Sequence, residues 1–310
     1  MKSLQSPRSR RKSLSISTLI HAVSRHGSAG LAPLQTLYET KHGKALPLPR
    51  ELARLYGSLR VPLTAARPRV ISNFVTSLDG VVSLSVKGHA SGADISGFNA
   101  HDRMVMGLLR AIADVIIVGA GTLSADRHHI WTADGVFPDL ADEYRRLRAA
   151  LGKRGPPLNV VVSGSGRLDL SLPVFTAGTV RALVVTTTHG ANRLRTQEVP
   201  DSVDIRAVRS AGTIRAAAIL DQVRRVNAGK LILVEGGPRL LGGFYAERLL
   251  DEQFLTVAPQ IAGREAVDQR LSLVMGQAFA PRHPLWGDLV DLRHGGSHLF
   301  LRYSFQNNAT

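Results

Sequence analysis

The 310-residue chain contains no cysteine. Disulfides and cysteine-ligated zinc are therefore excluded. A zinc nucleobase-deaminase centre is excluded as well, because it requires a Cys-x-x-Cys pair. The eleven histidines form no HExxH and no other paired-ligand spacing, so no metal is expected. Aromatic residues make up only 5% and do not alternate with basic ones, so the platform on which single-stranded bases stack is missing. No apolar run approaches the roughly 20 residues of a membrane helix, and a soluble, cytoplasmic protein is expected. Neither a GxSxG nucleophile elbow nor a GxxxxGK[ST] loop occurs. Acidic residues are absent before Glu39.

That last absence explains the charge. The formal net charge is +15. Residues 1–60 hold eleven Lys and Arg against Glu39 and Glu51, which accounts for nine of those charges. The remainder is only mildly basic, so nucleic acid is not an expected partner. Residues 1–28, rich in Ser and Arg, read as a disordered tail in preference to a targeting peptide or an over-extended start. Residues 29–67 read as a helical arm of two short helices, with Leu52, Leu55 and Leu59 on one face. One domain, 68–306, follows.

Within it, nearly all-apolar strands alternate with amphipathic helices, the signature of an α/β layer fold with a largely parallel sheet. "RVISNFVTSLDG" is a strand ending in an Asp-Gly turn. In "NAHDRMVMGLLRAI" Asn99 caps a helix, Asp102 favours its positive end, and Met104, Leu108 and Ile112 share a face. A second helix is expected from Thr213 to Gly229. "LVDLRHGGSHLFLRYSF" reads as a closing hairpin.

Four stretches carry candidate chemistry. In "VIIVGAGTLSAD" an apolar strand runs into Gly119, Gly121 and Thr122, and the following helix start offers backbone N–H groups to an anion. Ser124 stands where a Rossmann fingerprint has its third glycine, and no strand-terminal acid follows at the right distance, so that fold is rejected. "LILVEGGPRLLGG" repeats the logic with Gly236, Gly237 and a Pro238 helix start, and sets Glu235 at a strand tip. Two such turns suit a ligand with two or more phosphates. Asp79 is a second strand-end carboxylate, although Asp-Gly is first of all a turn signal. In "VVVSGSGRL", Ser163, Ser165 and Arg167 suit a phosphate monoester such as the one that separates NADP from NAD, or else form a plain loop.

In this order, "NFVTSLDGVVS", "ISGFNAHDRMVMGLLRAIADVIIVGAGT", "LILVEGGPRLLGG" and "LLDEQFLTVAPQIAGR" resemble the reductase domain of the riboflavin-pathway deaminase-reductase family, within the dihydrofolate-reductase-like superfamily. The resemblance implies a three-layer α/β/α fold with a mixed, mostly parallel central sheet, a homodimer, and NADPH as cofactor. It implies hydride transfer to the sugar C1 of a phosphoribosylamino-pyrimidine, giving the ribityl product. Thr122 and Asp126 would contact the cofactor, with Ser163 in its loop. Gly237 to Gly242, including Leu240 and Leu241, would receive its phosphates. Glu235 and Asp79 are the catalytic candidates. Arg110, Ser96, Asn73 and Arg127 are the substrate candidates. Two positions depart from the pattern: Asn73 replaces a common Lys, and Ala133 stands where an Arg is usual, with Arg127 as its candidate substitute. Alternative expectations are a reductase of another pterin or imine/carbonyl substrate, and a nucleotide-binding protein with a basic interaction arm.

Overall fold

The computed structural model describes residues 30–62, 67–227, 229–265, 267 and 270–305. The strands, in chain order, are β1 Gln35–Glu39, β2 Lys44–Ala45, β3 Arg60–Val61, β4 Arg69–Thr76, β5 Val81–Ser83, β6 Val115–Gly119, β7 Leu158–Ser163, β8 Ala182–Thr187, β9 Val203–Val208, β10 Leu231–Val234, β11 Glu252–Val257, β12 Leu271–Ser272, β13 Asp288–Gly295 and β14 His298–Ser304. The helices are α1 Arg50–Tyr56, α2 Gly92–Ser96, α3 Ala100–Ile112, α4 Ala120–Ala125, α5 Ala133–Val136, α6 Ala141–Ala150, α7 Pro173–Thr176, α8 Thr188–Leu194, α9 Ala216–Val226 and α10 Pro238–Ala246.

Ten strands make one sheet in the order β1-β13-β14-β11-β4-β10-β6-β7-β8-β9. From β11 to β9 all neighbours are parallel. The last three strands of the other edge are antiparallel, formed by the expected β13–β14 hairpin and β1. The inner strands are apolar because both their faces are covered. On one face Val70, Ile117, Val160, Val185 and Val234 pack with Ile219 and Val223 of α9 and Leu241 and Phe244 of α10. Helix α3 lies across β4 and β10 on the other face, with α5 and α6 beside it. The result is three layers. Strand β10 comes late in the chain but inserts between β4 and β6, so the carboxyl ends of these strands meet at a point where connections diverge, where open α/β sheets bind ligands.

Two sequence expectations change. The first helix of the arm is strand β1, paired antiparallel with β13. The open edge of β13 supplies a ladder of hydrogen bonds that local propensity does not outweigh. Thr36 is anchored there by Arg293, which is 1% exposed and also bonds the carbonyls of Tyr56 and Ser58 and the carboxylate of Asp291. Helix α9 is capped at Arg215 instead of Thr213, because the carboxylate of Glu247, just beyond α10, accepts the N–H groups of Ala216 and Ala217. Helix α4 has only six residues. The expected tail, residues 1–28, lies outside the described residues. No helix among the described residues is long and apolar enough to cross a membrane.

Candidate active site

The two glycine turns, over a hundred residues apart in the chain, are adjacent. Past the ends of the strands, Glu235 N donates to Ile117 O at 3.0 Å and Gly119 N to Gly236 O at 3.1 Å. Gly236–Gly237 is a cis peptide, and Gly236 has φ +154°. A Cβ on Gly236 would overlap the Thr122 hydroxyl, so this close approach needs glycine. A Cβ on Gly121 would meet nothing, which leaves the approach to α4 open.

Because α4 is so short, α10 is the stronger anion site. Its first intrahelical bond runs from Leu241 N to Gly237 O. The preceding N–H groups of Arg239 and Leu240 have no helical acceptor, and the exposed Arg239 side chain adds a cation. Sequence reading overlooked Arg239, although its place directly after Gly-Gly-Pro signalled a first-turn position. Two expected phosphate contacts are corrected. Leu241 is a core residue with 0% exposure. Gly242 is close-packed, since a Cβ there would sit 2.8 Å from Met275 O. Leu240 packs its side chain against the same core and offers only its backbone.

Glu235 extends from β10 toward α3. Arg110 donates to it three times, from Nε to Oε1 at 3.0 Å, from Nε to Oε2 at 2.9 Å, and from Nη2 to Oε2 at 2.7 Å. The side chains are 3% and 5% exposed, so this is a buried pair. The remaining Arg110 nitrogen, Nη1, lies 2.7 Å from His129 Nε2 and 3.2 Å from Thr132 O. His129 Nδ1 lies 3.4 Å from Asp126 Oδ2. Burial, then Arg110 and Arg103, pull the imidazole down to about 3, while burial raises the Asp126 carboxyl. Arg110 therefore faces Glu235 first, and any approach of a ligand to it is through that carboxylate.

The other candidates separate. Asp79 accepts from Ser77 Oγ at 2.6 Å, Ala262 N at 3.0 Å and Gly263 N at 2.8 Å. The Ser77 hydroxyl and these backbone donors hold its carboxyl down to about 2, and the arrangement clamps two loops together. Asn73 lines a small buried cavity with Val105, Phe254 and Thr256. Ser96 is buried beside Asp102, whose carboxyl is raised by burial against the lowering effect of hydrogen bonds from Thr256 and Ser96. Sequence reading saw Asp102 only as a helix-start acid. Its two partners come from α2 and from β11, and β11 lies far along the chain. Arg127 pairs with Asp169 at 2.6 Å on the surface. Ala133 is buried and starts α5.

In the loop after β7, Ser163 Oγ accepts from Gly166 N at 3.2 Å, so this hydroxyl shapes the turn. Gly166, at φ +63°, lies against the backbone of Gly190, where a side chain would clash. Ser165 and Arg167 are left exposed at the tip. Among the described residues no group of three His, Asp or Glu is placed to hold a metal.

Comparison with known proteins agrees with this layout. A 2,5-diamino-6-ribosylamino-4(3H)-pyrimidinone 5′-phosphate reductase of Archaeoglobus fulgidus is 29% identical over 201 residues, covering 64% of this chain and 84% of the relative. The structure of a pyrimidine reductase-like protein of Corynebacterium diphtheriae superposes with TM-score 0.61 at 22% identity, over 82% of this chain and 98% of that one. A deaminase/5-amino-6-(5-phosphoribosylamino)uracil reductase of Thermotoga maritima gives TM-score 0.57 at 20% identity, over 77% of this chain and 57% of that longer one. These structural matches show a shared dihydrofolate-reductase-like fold. The family model of the RibD C-terminal domain matches residues 68–277, which include both glycine turns and Glu235, and the chain belongs to that family.

Proposed function

We propose that this protein is an NADPH-dependent reductase that converts the ribosyl group of a 5-phosphorylated ribosylamino-pyrimidine to ribityl. The observation that carries the reading is the meeting of the two glycine turns beside the Glu235–Arg110 pair. A dinucleotide needs an anion cradle and an open backbone approach, and a hydride acceptor needs a charged group close by. Family membership and the name of the Archaeoglobus relative support the same chemistry.

The residues present fit NADPH. The first-turn N–H groups of α10, with Arg239, suit its diphosphate, and the open Cα of Gly121 leaves room beside Thr122 and Asp126. Ser165 and Arg167 at the exposed loop tip suit the 2′-phosphate. When bound, the nicotinamide supplies the hydride. Glu235 does the protein's part at the sugar. A carboxylate has about four acceptor sites, and Arg110 reaches it through two N–H groups, that of Nε shared between both oxygens, which leaves acceptor capacity unused. That capacity accepts a substrate hydroxyl, and the carboxylate stabilises the positive charge of the open-chain iminium at C1. Asp79 holds the two neighbouring loops together and takes no part in proton transfer. The active form is a homodimer, which light scattering of the purified chain tests directly.

Fluorescence titration with NADPH and NADH, then NADPH oxidation with the pyrimidine phosphate beside a dihydropterin, tests the reading. Saturable NADPH binding and turnover of the pyrimidine are expected. No NADPH binding at tens of micromolar overturns it. Equal affinity for NADH removes the 2′-phosphate role of Ser165 and Arg167, and turnover of the pterin alone reassigns the substrate.

A further inference from the structure

The stretch "RHHIW" after Asp126 interrupts the family pattern, and its second histidine, half-buried, takes part in the polar contacts behind Glu235. An Arg guanidinium only donates hydrogen bonds. With Arg110 Nη1 at 2.7 Å, His129 Nε2 must therefore offer a lone pair. The ring proton then sits on Nδ1, which is the nitrogen 3.4 Å from Asp126 Oδ2. The Arg110 contact thus assigns Nε2, and for a neutral ring that places the proton on Nδ1, on the side facing Asp126. The ring itself is braced. Its edge meets Trp131 at 5.1 Å and 75°. Trp131 is 3% exposed, and its backbone N–H and carbonyl both bond the Asn159 side chain on β7, at 3.1 Å each.

Building on the function proposed above, we propose that His129, as a neutral Nδ1–H imidazole, is a positioning residue that holds Arg110 side-on to Glu235 and links that pair to Asp126 at the end of α4. The reason is geometric. Arg110 is 2% exposed, so each of its N–H groups needs a protein acceptor. Nε and Nη2 grip Glu235, and Nη1 turns to the other side, toward His129 and Thr132 O. Thr132 O, at 3.2 Å, is the weaker of the two acceptors on that side. Without His129 one Nη1 N–H loses its acceptor in a buried site, and the guanidinium shifts toward Thr132 O at the expense of its side-on alignment with Glu235. Hydrogen bonds join Glu235, Arg110 and His129, and Asp126 at the end of α4 lies 3.4 Å beyond, so the cofactor-side helix and the substrate-side carboxylate are neighbours. His129 touches neither substrate nor cofactor. It acts through Arg110.

Two measurements test this. The first needs no substrate: the ring 15N shifts of His129 in the unliganded full chain. A protonated Nδ1 and a bare Nε2 from about pH 5 to 8 are expected, because the surroundings hold its value far below the ordinary histidine range. The opposite tautomer, or a doubly protonated ring at pH 7, overturns the proposal. The second compares H129F with H129Q. Gln presents an acceptor near the Nε2 position and Phe does not. For H129F a fall in kcat of about ten- to a hundredfold is expected, with the KM for NADPH little changed. H129Q is expected to keep kcat within about threefold, which a purely space-filling role for the imidazole would not produce. Unaltered kcat in H129F, or an equal fall in both variants, overturns the proposal. If the unsubstituted chain fails to bind NADPH, the functional reading fails, and the 15N measurement still decides the arrangement of His129.

Discussion

Arg110 and Glu235 show at the residue scale how distant positions become one chemical unit. They are 125 positions apart, and no spacing in the sequence relates them. A buried carboxylate without its partner is costly, so Arg110→Ala is expected to destabilise the protein by about 3–5 kcal/mol, read from urea unfolding. Glu235→Gln keeps the shape but halves the acceptor capacity for Arg110, and is expected to lose most of kcat while still binding NADPH. At the turn itself, Gly236→Ala forces a methyl onto the Thr122 hydroxyl. Overpacking of this kind costs about 1–3 kcal/mol. Thr122→Ala in the same chain is expected to recover part of the loss, as a double-mutant cycle would show.

Elements here are joined by single side chains that reach across from other elements. Asp79 clamps the turn after β4 to residues 262 and 263. Its carboxyl titrates lower in the folded chain, at about 2, than its ordinary value of 3.8. The sign follows from linkage: the clamp contributes in full above the ordinary value and is lost as pH falls toward about 2. Thermal midpoints measured from pH 5 downward are expected to fall more steeply for the unsubstituted protein than for Asp79→Asn, which lacks the ionisation. Glu247 plays a comparable part at the start of α9, and removing a cap of this sort costs on the order of 1 kcal/mol. Helices α3 and α10 were readable from their caps and apolar faces. Strand β1 was not, because its partner β13 lies some 250 residues further on.

For the whole molecule, the meeting of turns makes ligand binding and stability one quantity. A ligand that binds only the folded form stabilises it by about 2.7 kcal/mol at a hundred times its Kd. For a chain of this size that corresponds to a rise in thermal midpoint of roughly 4–5 °C with NADPH, measured by differential scanning fluorimetry. A smaller rise with NADH at the same concentration is expected from the additional phosphate contact. The sheet leaves β1 at its edge, with Leu37 50% and Tyr38 46% exposed. This edge is a natural place to test by substitution if light scattering shows the expected dimer.

The class of fold was already legible in the pattern of residues, since apolar strands alternating with amphipathic helices have few ways to bury both faces of a sheet. That pattern also located the glycine turns and Glu235, because Gly-rich strand ends are local signals. Pairing was decided only in three dimensions. Leu241 and Gly242 belong to packing, Asp79 to a loop clamp, and Asp102 and His129 to the buried polar surroundings of Glu235. A side chain's role depends on which atoms occupy its remaining hydrogen-bonding sites, and those atoms arrive from elements that the chain order keeps far apart.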